Sequence, residues 1–264
     1  MAADAPHVDP TGRALARLYD LDAREHRDDL DLYLALARRT RGPILELAVG
    51  TARVAIPLAE AGYDVTGVDL DAAMLDRARE AAAASGHAAA RRLTLVQADA
   101  RDVRLPAAGT FRLAYIALNS LLLFDGHDQE AVIATLAAHL ATDGIAVVDV
   151  LLPDADDLAR FDGRLILDWV RRDPDTDRFV TKTSAGVHHA ATGVLDLTTI
   201  FEEAGQGDAP TRWVRHDQLR LVGSGELVTL LALADLEVET LAGSYELDPM
   251  GADSERAVVI ARRR

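Results

Sequence analysis

Three acidic side chains, Glu46, Asp69 and Asp99, each lie within or directly beyond a short apolar run of strand-like composition. In a doubly wound sheet, the parallel strands present their carboxyl ends at one edge, and ligands bind at that edge. A carboxylate there can hold an ammonium group, accept hydrogen bonds from the hydroxyls of a ribose, or accept one from the exocyclic amine of adenine. The three acids together therefore predict a ligand that contains a nucleoside and a cationic amine.

The turn that follows Glu46 carries a single glycine, Gly50, with Ala48 and Ala52 where further glycines would stand in a dinucleotide-binding turn. A dinucleotide fingerprint needs three glycines so that the backbone can approach a pyrophosphate. Glu46 would also repel a pyrophosphate, whereas it suits a cationic amino group. An NAD-dependent oxidoreductase is therefore a less favoured alternative.

Strand and helix signals alternate from residue 44 to residue 150, and these elements would position the acids. Short apolar runs predict strands, and apolar residues at spacings of three and four predict the helices between them. Such alternation implies right-handed crossovers and a parallel sheet. The predicted strands are 44–49, 64–69, 93–97, 111–118 and 145–150, and the predicted helices are 54–61, 71–85 and 129–140.

The pattern changes after Pro153, where strand-like runs follow one another with only turn-like breaks between them, the last break at 205–210. Successive strands with short breaks predict an antiparallel meander. The chain then returns to the first pattern with one helix and two strands. The predicted meander strands are 165–170, 178–188, 194–201 and 211–221, followed by a helix over 226–234 and strands over 236–245 and 257–262.

We therefore predict an α/β fold with a doubly wound, mostly parallel, Rossmann-like seven-stranded sheet, an inserted antiparallel β cap and N-terminal lid helices. The lid helices occupy 1–40 and begin with a disordered leader over 1–11. The cofactor-binding core comprises 41–152 and 222–264, and the substrate cap comprises 153–221.

The 264 residues carry a formal net charge of −15 and no cysteine. Nucleic-acid binding requires clustered Lys and Arg, so this charge disfavours a nucleic-acid partner. The lack of cysteine excludes disulfides and thiolate chemistry, and we expect no metal site. No apolar segment approaches membrane-spanning length. We expect a cytoplasmic protein with no membrane partner, and the edges of the meander offer a surface for a homodimer.

With these features in place, the chain resembles the class I S-adenosylmethionine-dependent methyltransferases, in particular the branch that acts on small molecules. The resemblance covers roughly residues 19–150 and the final strands. Its motifs are specific in combination, although each alone is weak. The residues that carry it are 46–53, which match E-L-x-x-G-T-x-R, then 65–71 with Met74 and Leu75, then 97–100, and finally 119–121 with His139-Leu140 and Asp143-Gly144.

The resemblance implies S-adenosyl-L-methionine as the cofactor and a small-molecule N or O acceptor. Glu46 would hold the methionine amino group, Asp69 would bind both ribose hydroxyls, and Asp99 with the Ala100 amide would read the adenine edge. The other cofactor contacts that the resemblance implies are Tyr19, Ala48, Gly50, Arg53, Leu70, Met74, Ala117 and Asn119.

The chain departs from the family at Ala48 and Ala52, where the family usually has glycine. The two methyl groups are tolerated if φ is negative at these positions. A crowded pocket would instead favour a non-catalytic or repurposed relative that binds a metabolite, and this is the second hypothesis.

Methyl transfer from a sulfonium is an in-line displacement, in which the enzyme mainly supplies proximity and orientation. An N or O acceptor must also lose a proton, so a general base helps. The candidates for that role are Tyr19, His26, His188 and His216, and the candidate substrate contacts are Tyr33, Asn119, Trp169 and Tyr245. Because neighbours on a strand point to opposite faces, at most one of His188 and His189 faces a pocket.

Overall fold

The fold is taken from a computed structural model that describes residues 10–205, 207 and 209–264. Residues 1–9 of the predicted leader and residues 206 and 208 of the last predicted break lie outside the described residues. The final part of the predicted leader is instead helical, since helix α1 spans Pro10–Ala23. Proline is tolerated there because the first residue of a helix needs no N–H partner. Helix α2, Leu30–Thr40, follows.

The larger sheet has seven strands in the order β10-β11-β5-β4-β1-β2-β3. Strands β1 to β5 are parallel, and β11 is antiparallel to its neighbours β5 and β10. The carboxyl ends of β1 and β4 flank the point where the strand order reverses, which is where such sheets bind ligands. The strands are β1 Ile44–Leu47, β2 Val65–Asp69, β3 Leu93–Gln97, β4 Phe111–Ile116, β5 Leu140–Leu151, β10 Leu236–Ala242 and β11 Arg256–Arg263.

Helices cover both faces of this sheet, because its central strands present apolar side chains to both sides. Leu45 packs in one buried cluster with Leu136 and Leu231, whereas Ile44 packs in another with Leu36. The helices are α3 Ala55–Glu60, α4 Ala72–Ser85, α5 His87–Arg92, α6 Gly126–His139, α7 Ala155–Arg160 and α8 Ser224–Leu233, with a short 3-10 turn at Ser120–Leu123.

A separate antiparallel sheet contains four strands in chain order. Its inner face packs on α1, where Leu18 and Leu21 contact Val180 and Phe201. The opposite, outer face carries alternate residues that are exposed to solvent. The strands are β6 Ile166–Arg172, β7 Phe179–His189, β8 Val194–Ala204 and β9 Thr211–Arg220.

The predicted fold class is confirmed, since a mostly parallel seven-stranded sheet stands beside an antiparallel one. Some boundaries differ. Strand β4 ends at Ile116 rather than at residue 118, because Leu118 and Asn119 have φ of 50° and 64°, values that an extended strand does not have. The short helices α5 and α7 were not predicted. In the described part of the chain, no helix is long and apolar enough to cross a membrane.

Candidate active site

Glu46 lies in β1, and its carboxylate is buried, with 4% of the residue exposed. Oε2 accepts a hydrogen bond of 2.9 Å from the Tyr115 hydroxyl of β4. Burial raises the pKa of the Glu46 carboxyl to about 8, although this hydrogen bond and the charge of Arg53 oppose the shift. A buried carboxyl group that has no cation bonded to it can bind a cationic group of a ligand.

The turn after β1 has a left-handed backbone at every second residue. The φ angles of Ala48, Gly50 and Ala52 are 55°, 55° and 64°. The negative φ that would make the two alanine methyl groups tolerable is therefore not found. A left-handed conformation is about 1–2 kcal/mol less favourable for alanine than for glycine. The turn thus keeps a shape suited to glycine while it carries two alanines.

Asp69 ends β2 and is tied to this turn. Its Oδ2 accepts the Gly50 N–H at 2.8 Å, and its Oδ1 accepts the Asp71 N–H at 2.9 Å. Burial raises the pKa of the Asp69 carboxyl, and the backbone hydrogen bonds oppose that shift. Asp71 itself caps α4, because its side chain accepts the N–H groups of Ala73 and Met74. Each Asp69 oxygen keeps one further acceptor position, enough for two hydroxyls.

Leu70, directly after Asp69, is 64% exposed, and Met74 on the first turn of α4 is half-buried. A large exposed apolar side chain beside a polar edge is informative, because such residues are usually packed. Together the two side chains offer an apolar surface next to the Asp69 carboxylate.

Asp99 has a partner that the sequence analysis did not anticipate. Arg101 donates to its carboxylate, with Nη2 at 2.6 Å from Oδ2, and also reaches Asp128 at 2.7 Å. The Arg101 guanidinium lowers the pKa of the Asp99 carboxyl. Asp99 is therefore anionic and held in place. Ala100 beside it is buried in the core.

Arg53 is paired with Asp29, a residue that follows α1 in the chain. The guanidinium donates to both carboxylate oxygens, with Nη1 at 2.7 Å from Oδ1. Asp29 is 2% exposed, so this is a buried ion pair. An ion pair between Arg53 and Glu46 is thereby excluded as the main role of Arg53. The pair instead fastens the segment between α1 and α2 to the turn after β1.

Tyr19 of α1 lies directly over the turn. A Cβ placed on Gly50 would be 3.7 Å from Tyr19 Cε1. The tyrosine closes a narrow space, here called the cofactor cleft, of about 20 Å³. That volume holds about one water molecule. The cleft is lined by Tyr19, Glu46, Ala48, Arg53, Ala117, Leu118, Ser120 and their neighbours in the turn.

A second space, here called the acceptor cavity, has a volume of about 330 Å³. It lies between α1, the turn after β4 and the inner face of the antiparallel sheet. Tyr19, Leu118 and Ser120 line it as well as the cofactor cleft. Leu197 and Phe201 give it an apolar wall, and its charged lining consists of Asp22, His26, Lys182, Arg215, Asp217 and Arg256.

The four candidate bases are separated by the fold. Tyr19 and His26 line the acceptor cavity. His216 is on the outer face of the antiparallel sheet, where its Nδ1 is 3.0 Å from Thr198 Oγ1. His188 does not line the acceptor cavity, and its neighbour His189 pairs with Asp196 on the outer face. The structure therefore removes both strand histidines, His188 and His216, from the cavity.

The candidate substrate contacts are also divided. Asn119 lines the acceptor cavity, and its Oδ1 accepts the Leu151 N–H at 2.6 Å. Tyr33 is fully buried against Tyr115, with ring centroids 4.4 Å apart, so it reaches neither space. Trp169 does not line the cavity, because its indole packs on Phe201 and donates to Asp22 at 2.8 Å.

Tyr245 is placed behind the cavity rather than in its lining. Its hydroxyl donates to Asp149 Oδ2 at 2.8 Å, and its ring lies 4.3 Å from the Arg256 guanidinium carbon. Asp149 is fully buried in β5 and also accepts the Leu118 N–H at 3.1 Å. Burial raises the pKa of the Asp149 carboxyl. This network holds the left-handed turn after β4 in place.

Sequence reasoning missed Asp149, Lys182, Arg215, Asp217 and Arg256. The sequence contained part of the information, because residues two apart on a strand share a face. Arg215 and Asp217 alternate with exposed residues along β9 and therefore share its inner face. Asp149 and Arg256 meet only because β5 pairs with β11, and nothing local in the sequence indicates that pairing.

The residues in and beside the cofactor cleft fit S-adenosylmethionine by their chemistry. Glu46 in the cleft supplies a carboxylate with no bonded cation, and Asp69 beside it supplies free acceptor positions. The volume of the cleft is too small for an amino acid, so the cleft must widen when it is filled. The described residues contain no cluster of three or more side chains able to hold a metal ion.

Comparison with known proteins agrees with this geometry. A family model described as a methyltransferase domain matches residues 44–144. The chain is 28% identical over 222 residues to the cypemycin N-terminal methyltransferase of a Streptomyces species, covering 84% of this chain and 83% of that protein.

Two solved structures show the same fold. A S-adenosylmethionine-dependent methyltransferase from Clostridium acetobutylicum ATCC 824 superposes with a TM-score of 0.76 at 17% identity, covering 95% of this chain and 98% of that one. The sugar N-methyltransferase KedS8 from Streptoalloteichus sp ATCC 53650 superposes with a TM-score of 0.72 at 22% identity, covering 93% and 92%.

The sheet order and the acids at its edge define an α/β enzyme with a nucleoside cofactor. With the methyltransferase domain over residues 44–144 and the relatives above, the chain is a methyltransferase that shares its fold with solved S-adenosylmethionine-dependent enzymes. Its cofactor is S-adenosylmethionine.

Proposed function

We propose that this methyltransferase methylates an amine of a small molecule held in the acceptor cavity. The observation that carries the proposal is the junction of the two spaces at Tyr19, Leu118 and Ser120, which line both. A nucleophile in the cavity reaches the cofactor cleft there. A cavity of about 330 Å³ is within the usual size range of small-molecule sites.

In this proposal, residues in and beside the cofactor cleft bind the cofactor. Glu46 binds the methionine ammonium, Asp69 binds the ribose hydroxyls, and Leu70 with Met74 packs on the adenine. Asp99 and the Ala100 amide take the adenine edge, while Arg101 fixes the Asp99 carboxylate. The remaining proposed contacts are Tyr19, Ala48, Gly50, Ala117 and Asn119, and Arg53 supports them by holding Asp29.

The bound cofactor supplies an activated methyl group, and the residues of the chain bind, orient and exclude water. Of the two bases at the cavity, Tyr19 is the weaker, because burial raises the pKa of its phenol and keeps it protonated at neutral pH. His26, exposed at the cavity, is then the group that takes a proton from the acceptor ammonium, at an imidazole nitrogen.

The choice of nitrogen over oxygen rests on the relatives and not on the cavity lining, because Lys182 and Arg215 already pair with the carboxylates of Asp22 and Asp217. Of the relatives, one is named a cypemycin N-terminal methyltransferase and one a sugar N-methyltransferase, and both names support an amine acceptor. We retain the unit boundaries of the sequence analysis, with 1–40 as lid, 153–221 as substrate cap, and 41–152 with 222–264 as core.

The test combines binding and turnover. Calorimetric titration with S-adenosylhomocysteine should give micromolar affinity, and titration with NAD should give none. The protein is then incubated with S-adenosylmethionine and a panel of primary amines, alcohols and phenols, and methyl gain is read by mass spectrometry. Methylation of alcohols or phenols alone would contradict the amine proposal and leave the cofactor assignment intact.

A further inference from the structure

Three cationic side chains line the acceptor cavity, and they differ in how they are paired. Lys182 Nζ is 2.7 Å from Asp22 Oδ2, and Arg215 Nε is 2.9 Å from Asp217 Oδ1. Both charges are therefore matched by carboxylates of the cavity itself. Lys182 and Arg215 therefore offer little attraction to an anionic ligand.

Arg256 is the exception. Its Nη1 is buried and has no hydrogen-bond partner among residues 10–205, 207 and 209–264. Asp149 Oδ2 is 3.7 Å from this atom, which is close enough for an ion pair but beyond hydrogen-bond distance. The Asp149 oxygen on that side, Oδ2, already accepts from Leu118 and Tyr245. A buried donor without a hydrogen-bond partner is destabilising, because it has lost its hydrogen bonds with water.

The position of Arg256 is rigid. It is the first residue of β11 and pairs with Leu151 of β5, so its backbone belongs to the central sheet. The Tyr245 ring packs on the guanidinium, with its centroid 4.3 Å from Cζ. An arginine that is fixed by a strand and an aromatic ring keeps its donors oriented without a hydrogen bond to a carboxylate.

We infer that Arg256 binds a carboxylate group of the methyl acceptor, so that the acceptor is an amine that also carries a carboxylate. This inference rests on the proposed function, because it places both groups of one molecule in the acceptor cavity. A planar carboxylate matches the donor fork of arginine and forms paired charge-assisted hydrogen bonds. Nη1 is buried on the side of Asp149, so the carboxylate would bind the part of the Arg256 guanidinium that is exposed at the cavity.

The surroundings make this recognition selective. The chain has a formal net charge of −15, so its overall field repels anions. The attraction must then come from a local cation, and the paired Lys182 and Arg215 are unsuited to it. The carboxylate orients the acceptor, and the amine is presented to the junction lined by Tyr19.

The experiment uses matched acceptors. Amino acids and dipeptides of increasing length are each offered as the free acid and as the carboxamide, with S-adenosylmethionine, and methyl gain is measured by mass spectrometry. We expect at least one acid to be methylated with a kcat/KM at least tenfold above that of its carboxamide. Equal rates for acid and amide, or methylation of amides alone, would overturn the inference while the proposed function stands.

Variants assign the preference to the residue. Arg256→Gln should abolish the preference for the acid mainly by raising its KM, and Arg256→Lys should restore part of it. Arg212→Gln is the matched control, because Arg212 is on the outer face of the antiparallel sheet, away from the acceptor cavity, and pairs with Glu202. A preference for the acid that persists in Arg256→Gln would overturn the inference.

Binding of S-adenosylhomocysteine to each variant separates the outcomes. Retained binding together with no methylation of any acid in the panel overturns the inference. If the unmodified protein does not bind S-adenosylhomocysteine, the cofactor assignment of the proposed function is overturned instead. If Arg256→Gln does not fold, the comparison of acid with carboxamide on the unmodified protein and on Arg256→Lys decides.

Discussion

The Glu46 carboxyl combines two properties that conflict. Burial raises its pKa to about 8, so at neutral pH most of the free protein carries it protonated. Binding of an ammonium group needs the anion. The affinity for a ligand that carries an ammonium is therefore linked to the proton that Glu46 must release.

We predict that the dissociation constant of S-adenosylhomocysteine rises about tenfold for each pH unit below 8, because one proton must leave Glu46 on binding. Calorimetric titrations between pH 6 and pH 8 measure this slope. Glu46→Gln should bind more weakly at pH 8 and show a flat profile. An unchanged slope in that variant would assign the linkage to another group.

Glu46→Gln should also change the stability of the protein. Because the folded protein holds the Glu46 proton more tightly than the unfolded chain, stability is lost as pH rises from about 4.5 to about 8. Glu46→Gln removes this loss. The free energy of unfolding of the ligand-free variant should exceed that of the unmodified protein at pH 8 by on the order of a few kcal/mol, measured by urea denaturation.

Asp69 has a structural role as well as a proposed binding role. Asp69→Ala should weaken S-adenosylhomocysteine binding by at least about a hundredfold, since each charge-assisted hydrogen bond lost costs about 1.5–3 kcal/mol. It should also lower the melting temperature, because the N–H groups of Gly50 and Asp71 lose their acceptor. Calorimetry and thermal melts measure the two effects.

Asp71→Ala is the control for Asp69→Ala. It removes the N-cap of α4, which is worth about 1 kcal/mol of stability, but no proposed ligand contact. Comparable loss of affinity in both variants would show that the effect of Asp69 is structural.

The residues at the strand ends could be predicted from the sequence, because acids that interrupt apolar runs stand out. Their partners could not. The contacts of Arg101 with Asp99 and Asp128 depend on where α6 begins relative to the segment that follows β3. The left-handed φ of Ala48 and Ala52 was not foreseen either, because alanine rarely adopts it.

At the scale of elements, α1 is held over the turn after β1 by polar contacts. Asp20 Oδ2 accepts from Arg77 Nη2 at 2.9 Å, and Asp20 Oδ1 is 3.3 Å from Thr51 Oγ1. Tyr19 beside it closes the cofactor cleft. The helix must therefore move before the cleft can be filled.

We predict that Asp20→Asn speeds both association and dissociation of S-adenosylhomocysteine, each several-fold, because it weakens the ion pair with Arg77. Stopped-flow fluorescence measures both rates. Asp76→Asn is the matched control, because its exposed pair with Arg79 lies within α4 and holds no other element. Rates that are unchanged in Asp20→Asn would show that α1 does not limit entry.

The elements themselves were largely predictable, because periodicity separates the alternating half from the meander. The inner face of the meander was not. Alternation indicates that Arg215 and Asp217 share a face, but which face packs on α1 depends on contacts such as Leu18 with Phe201. The candidate His216 fell on the wrong face for this reason.

At the scale of the whole molecule, the outer face of the antiparallel sheet carries exposed apolar side chains beside its polar pairs. Leu167, Thr183, Ile200 and Val214 are in register across its four strands, and Leu167 is 60% exposed. Strand β6 also leaves one edge unpaired in this sheet. Both features favour a contact with a second copy.

We predict a homodimer through this face, with a mass twice the 28.4 kDa of the chain in sedimentation or light-scattering measurements. Leu167→Lys should shift the protein to monomer at micromolar concentration, because a two-fold contact buries the residue twice. Leu233→Lys is the control, since Leu233 is equally exposed on α8. A monomeric unmodified protein would contradict the prediction.

The position of Tyr19 between the cofactor cleft and the acceptor cavity has a kinetic consequence. The acceptor cavity has a complete wall only when α1 is closed, and α1 can close over the cofactor only after the cofactor has entered. Turnover should therefore follow a compulsory order, with the methyl donor first on and its demethylated product last off. Steady-state inhibition by S-adenosylhomocysteine should then be competitive against the donor and noncompetitive against the acceptor, whatever the acceptor is.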